Sequence, residues 1–207
     1  MIEYLTRYYD KLLTATLEHL EIVMITLMIS LAIAAVLTIV SSYSKVVSRV
    51  LLNLFSMIYS IPSLALLALL IPVTGLGKKT AIIALVIYNQ YLLLRNFLAG
   101  LEGVDPSIIE AAKGMGMTRM QMLFRVQVPL AKSALIAGMR IALVSTVGIA
   151  TIAASINAGG LGGILFDGLR TMNIPKIVWG SILSALLAIL MDRLLVFVEK
   201  RSEKAVK

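Results

Sequence analysis

Ile22–Val40 reads IVMITLMISLAIAAVLTIV, a run with no charged residue in it. At 1.5 Å per residue a helix over this run is about 30 Å long, the thickness of a bilayer's hydrocarbon core. The preceding stretch, MIEYLTRYYDKLLTATLEHLE, mixes acids and bases, so the run is expected as a retained span and not as the apolar core of a cleaved signal. Four further apolar blocks follow, at about 50–73, 80–98, 130–156 and 177–198. Hydrophobic residues make up 59% of the 207 and charged residues only 14%, far from a soluble domain. The mean hydropathy is +0.96. Backbone groups in lipid must be satisfied within the chain, and none of these blocks alternates in polarity as a barrel strand does. The expectation is an all-α polytopic membrane protein, a single transmembrane domain over residues 1–207 with five spans.

The formal net charge is +8, and its distribution suggests a membrane role. Loops on the same side as Glu110 hold roughly twice the Lys and Arg of the opposite side, which places that side in the cytoplasm, the N-terminus outside and the C-terminus inside. Lys78 and Lys79 run against the bias. No basic stretch is interleaved with aromatics as single-strand binding needs, so nucleic acid is not an expected partner. Cysteine is absent and His19 is the one histidine, which removes disulfides, thiolate metal sites and Cys/His nucleophiles. No H-E-x-x-H, paired carboxylates or Ser/His pair is visible, and nothing fits G-x-x-x-x-G-K-[ST]. The chain is expected to hold no metal or cofactor, to be no enzyme, and to carry no ATPase of its own.

One segment between apolar blocks is polar: EAAKGMGMTRMQMLFRVQVPLA, Glu110 to Ala131. A helix starts just before it, either on an Asp105 cap with Pro106 in first position or on a Ser107/Glu110 capping box. Gly114 and Gly116 stop it, Thr118 and Gln121 form a second capping box, and Met120, Leu123 and Phe124 are expected on one face of the helix that follows. Pro129 closes that helix or begins the next span. Two uses stay open on physical grounds. One is an interfacial helix with Arg119 and Arg125 toward anionic headgroups. The other is a docking knob, with close backbone approach at the glycines and an adaptable surface from Met115, Met117, Met120 and Met122.

The order Glu110-Ala111-Ala112, Gly116, Val126, Val128, Pro129 resembles the EAA loop of ABC-importer permeases, with valine where isoleucine and leucine are usual. Two further stretches, Ile61 to Thr118 and VGIATIAASINAGGLGG, are similar to the quaternary-amine (glycine betaine, carnitine, choline) osmoprotectant permeases. The resemblance implies the five-helix fold of a type I importer half in a bacterial cytoplasmic membrane, with a cytoplasmic coupling loop at about 105–129. It also implies a second permease, identical or paralogous, two cytoplasmic ATPase subunits, and an external substrate-binding protein. By that analogy Glu110, Ala111, Ala112, Gly114, Gly116, Met117, Arg119, Met120 and Pro129 form the ATPase-coupling contact.

Pro62 interrupts the second block, with Tyr59, Ser60 and Ser63 around it, as an ordinary kink or as a break whose freed carbonyls line a path. Tyr88, Asn89, Ser145, Thr151, Ser155 and Asn157 complete the candidate path and gate. Gly138, Ala142, Ser145, Gly148, Ile152 and Ser155 make a small-residue face suited to close helix contact or to a pore wall. Arg140 either snorkels or pairs with Asp192. The stretch Asn157 to Gly168 reads as a tight re-entrant turn or a plain connection. The aromatics are scattered along the chain. Mid-span charge is almost lacking, which disfavours the alternative of a self-sufficient channel or secondary transporter; a permease half for another small solute is a further alternative.

Overall fold

The computed structural model describes residues 2–204, and those residues contain no strand. The helices are α1 (Ile2–Arg7), α2 (Tyr9–Tyr43), α3 (Lys45–Tyr59), α4 (Ser63–Thr74), α5 (Lys78–Glu102), α6 (Pro106–Gly114), α7 (Arg119–Met122), α8 (Val128–Leu130), α9 (Lys132–Ala153), α10 (Leu161–Arg170) and α11 (Ile174–Lys204). A π-helical stretch, Leu123–Gln127, joins α7 to α8, and a 3₁₀ turn, Ala154–Ile156, ends α9. Four helices, α2, α5, α9 and α11, are long and apolar enough to cross a membrane.

The apolar stretch 50–73 falls on α3 and α4, whose axes differ by 95°. Pro62 sits at the break, where it has no N–H to give and keeps the preceding residue out of helical geometry.

Helix α5 is the centre of the bundle. In its most apolar stretch 61% of residues are buried, against 6% for α11, which lies at the periphery. Leu85, Leu93 and Phe97 of α5 pack with Ile22, Val23 and Leu27 of α2 and with Ala142, Leu143 and Val147 of α9. Small residues set how closely these helices approach, because lipid gives apolar side chains no reason of their own to associate. A side chain at Gly138 would collide with Cβ of Asn96 at 2.6 Å, and one at Gly100 with Cβ of Ala134 at 2.7 Å. Faces turned outward stay apolar, as at Met28, Val36, Leu190 and Leu194, as a lipid-facing surface requires.

The stretch read as a turn between the last two spans contains a helix. The turn proper is confined to Asn157, Gly159 and Gly160, all at positive φ, and α10 starts at Leu161. Gly162 and Gly168 lie within α10 and serve close packing: a Cβ at Gly162 would run into the Thr151 carbonyl oxygen, and one at Gly168 would lie 2.9 Å from the Ile177 nitrogen.

Candidate functional site

Helix α6 begins on the Asp105 cap, the first of the two expected starts. Its carboxylate accepts the Ser107 backbone N–H at 2.8 Å and the Ser107 hydroxyl at 2.7 Å, with Pro106 in first position. Those bonds hold the exposed Asp105 carboxyl below its ordinary pKa. The helix ends as the Gly116 N–H bonds to the Lys113 carbonyl at 2.9 Å and the Met117 N–H to that of Ala112 at 3.2 Å, which needs Gly116 at φ +75°. The second capping box forms: the Thr118 N–H donates to Gln121 Oε1 at 2.9 Å, and the Gln121 N–H to the Thr118 hydroxyl at 3.3 Å.

Beyond α7 the π-helical stretch widens the turn, and the expected common face of Met120, Leu123 and Phe124 does not form. Met120 and Leu123 pack inward with Leu101, Val104 and Ala131, while Phe124 is 52% exposed. The methionines divide as well. Met115 is exposed, Met117 and Met120 are half-buried, and Met122 is buried in the chain's own packing. Of the residues expected at the coupling contact, Glu110, Ala111, Gly114, Gly116, Arg119 and Pro129 are exposed, whereas Ala112, in the same motif, is buried at 1%. Around Gly114 and Gly116 no atom of the described residues, sequence neighbours aside, lies within 4 Å of where a Cβ would be. Arg119 reaches back to the bundle, donating to the Tyr43 carbonyl at the end of α2 at 2.9 Å.

The second group of candidates separates into a break and an interior fastening. At Pro62 the freed Ile61 carbonyl accepts the hydroxyl of Tyr88. Tyr59 lies edge-on to Tyr88 at 5.6 Å between ring centroids and 5.0 Å from Tyr91. The aromatics are thus gathered and not scattered at this point. Tyr91 was missed, although it stands one helical turn from Tyr88 on α5. Pro62 and Ser60 are exposed and Ser63 is half-buried beside them. Asn89, by contrast, is 2% exposed and donates to Thr146 at 2.9 Å and Ser30 at 3.3 Å, joining α5 to α9 and α2 inside one subunit. The mid-span polarity of Ser30 and Thr146 was the overlooked sequence signal for this contact.

On α9 the small-residue face changes character along its length. Gly138 and Ala142 are buried against α5, Ser145 and Thr151 are half-buried, and Gly148 has nothing within 4 Å of its would-be side chain. Ser155 and Asn157 are exposed at the end of that line. Arg140 pairs with Asp192 at 2.8 Å and lies 3.6 Å from Glu199, fastening α9 to α11. At the opposite end from α6, Glu18 accepts the Gly160 N–H at 3.0 Å, His19 shares a hydrogen bond of 3.2 Å with the Val147 carbonyl, and Lys78 pairs with Glu21 at 2.8 Å. Among the described residues no group of His, Cys, Asp or Glu is placed to hold a metal ion. The arrangement is a bundle with one exposed polar segment, 105–131, and one broken helix beside a tyrosine cluster.

Residues 27–204 match the family described as binding-protein-dependent transport system inner membrane component. The glycine betaine/carnitine/choline transport system permease protein OpuCB of Bacillus subtilis (strain 168) is 34% identical over 201 residues, 97% of this chain and 93% of its own. The carnitine transport permease protein OpuCB of Listeria monocytogenes is 38% identical over 181 residues, 87% of this chain and 83% of its own. Among solved structures, a chain of the MetNI methionine ABC transporter in an inward-facing conformation has a TM-score of 0.77 at 24% identity, covering 95% of this chain and 96% of that one. At that identity the likeness is one of fold.

Proposed function

Since this chain belongs to the inner-membrane components of binding-protein-dependent transport systems, we propose that it is the permease subunit of an ATP-driven importer for a small trimethylammonium solute of the glycine betaine, carnitine or choline type. The solute class is supported by the related permeases named for these compounds, all of which carry that cationic group. The chain is a multi-pass membrane protein. Its inner segment faces the cytoplasm, with the N-terminus outside, and the positive-inside bias supports this orientation. An external binding protein delivers the solute, two ATPase subunits bind at the cytoplasmic face, and a second permease, identical or paralogous, completes the path.

The observation that carries the reading is the outward strip of Glu110, Ala111, Gly114 and Gly116, which this chain leaves uncovered while the same segment is rooted in the bundle. A rigid partner seated on the strip moves Leu123 and Met120, which pack on Leu101 at the end of α5, and pulls on α2 through the Arg119 bond to Tyr43. Since α5 also carries Tyr88, whose hydroxyl holds the Ile61 carbonyl, the motion reaches the broken helix. Met117, Met120 and Arg119 therefore act as the root of the coupling contact, and Pro129 sets its junction with α9. The break around Tyr59, Ser60, Pro62 and Ser63, with Ser145, Thr151, Ser155 and Asn157 along α9 and its end, forms the path and gate; Tyr88 and Asn89 hold its frame.

Co-purification of the tagged chain tests the reading, followed by reconstitution with the recovered partners. The expected result is uptake of at least one of glycine betaine, carnitine and choline that requires ATP and a binding protein. Uptake of these solutes by the chain alone, without any ATPase, contradicts it.

A further inference from the structure

Between the α2–α3 turn, the end of α5 and the inner segment lies a pocket of about 600 Å³ to which the transport reading assigns no ligand. Its walls bring together Lys45 of α3, Lys113 of α6 and Arg119 of α7, against one carboxylate, Glu102. Among the described residues neither Lys45 nor Lys113 joins an ion pair. Gathered cations raise the local potential and are stabilised when an anion enters. A second observation lies in the same wall. Ser41, also in the wall, is 4% exposed, and its buried hydroxyl oxygen has no hydrogen-bond partner among the described residues. Such a group ordinarily has one. The first turn of α3, a helix of 15 residues, closes the pocket with its N-terminus, where the N–H groups of Lys45 and Val46 precede the first intrahelical bond.

We infer that this pocket binds a phosphate-bearing anion that ties the inner segment to the bundle. The phosphate oxygens accept from Lys45 on the bundle side and from Lys113 on the segment side, next to the Arg119 bond to Tyr43. The pocket lies where α2 and α5 end, at the depth of lipid headgroups, so an acidic phospholipid and free phosphate are the two sources to separate. Occupancy holds the segment in register with α2 and α5 and thereby supports the transmission of motion along it.

The test uses the assembled transporter in nanodiscs of phosphatidylcholine, with phosphatidylglycerol added in steps. Native mass spectrometry counts the phosphatidylglycerol retained, and thermal melting reads its effect. Lys45→Gln and Lys113→Gln each weaken retention about fivefold, roughly twenty-five-fold together, as expected for removal of cations near an acidic headgroup. Arg125→Gln, exposed and outside the pocket, leaves it nearly unchanged. A second arm, without acidic lipid, titrates inorganic phosphate against the wild-type and double-variant transporters and reads the melting midpoint. A lipid response lost in the double variant without a phosphate response assigns the site to headgroups. A phosphate response lost in the double variant assigns it to the free ion. Equal behaviour of wild type and variant in both arms overturns the inference. The single variants, each keeping the other lysine, preserve the comparison if the double variant is not recovered.

Discussion

Two of the glycine-bearing connectors between the long helices of this bundle use glycine differently. In the segment 157–168 four of the five glycines are pressed against the chain itself: Gly159 lies on Glu18, Gly160 on His19, Gly162 on the Thr151 carbonyl, and Gly168 on Lys176 and Ile177, while Gly163 faces open space. In the segment 105–131 the glycines face open space, with none of the described residues beyond their sequence neighbours within 4 Å of a Cβ at Gly114 or Gly116. The first set lets the bundle close on itself. The second leaves a small, smooth surface that the subunit does not cover, and the proposed function assigns that surface to another molecule. The same residue type thus serves internal packing in one connector and, on the proposed function, an external contact in the other.

The contrast is most sharply broken by substitutions at the two kinds of glycine. Gly162→Val places atoms inside the Thr151 backbone and is expected to remove most of the folded protein, well beyond the ~1–3 kcal/mol of ordinary overpacking; fluorescence-detected size exclusion in detergent measures the loss. Gly114→Ala is expected to leave folding unchanged or improve it by up to ~1 kcal/mol, since alanine is the better helix former. ATP-driven uptake by the assembled transporter is nevertheless expected to fall about tenfold, as a lost contact of ~1.4 kcal/mol would give. Uptake equal to wild type would show that nothing approaches the glycine closely. A smaller effect is expected at the broken helix. Tyr88→Phe removes the hydroxyl that serves the Ile61 carbonyl and is expected to cost about 1 kcal/mol, read as a lower melting midpoint.

The smallest effect concerns the α6 cap. The Asp105 carboxyl has its pKa lowered by its bonds to Ser107, so its contribution is complete above the ordinary carboxylate pKa of about 4 and is lost as pH falls through the lower folded value. Hydrogen exchange at the start of α6, corrected for the intrinsic effect of pH, is expected to be flat from neutral pH down to about pH 5 and to lose protection only in stronger acid. Asp105→Asn removes that acid limb; a wild-type profile that already loosens near neutral pH contradicts the assignment.

Much of this architecture is legible in the sequence because lipid imposes a simple rule. Ile22–Val40 has one possible conformation in a bilayer, and the cap residues Asp105, Pro106, Thr118 and Gln121 mark their helix starts through local bonds that need no tertiary information. Helix α10 was hidden because glycine reads equally well as a turn residue and as a packing residue, and only the position of Thr151 separates the two. The π-helical stretch escaped for a related reason: the spacing of Met120, Leu123 and Phe124 fits a regular helix, and Leu123 is held inward by Leu101 and Val104 from far along the chain. The tyrosine cluster depends on how the end of α3 packs on α5, which the sequence around Pro62 does not specify.

The central claim is that the strip around Glu110 and Gly116 is where an ATPase moves this bundle. The chain has no native cysteine, so a single reporter is unambiguous. Ala111→Cys, labelled with a short photo-crosslinker in the assembled transporter, should link to the ATPase chain with a yield that changes on addition of ATP, whereas Gly163→Cys in α10 should give no ATPase adduct. Equal ATPase adducts at both positions, or none from Ala111→Cys in a transporter that still takes up solute, would contradict the account.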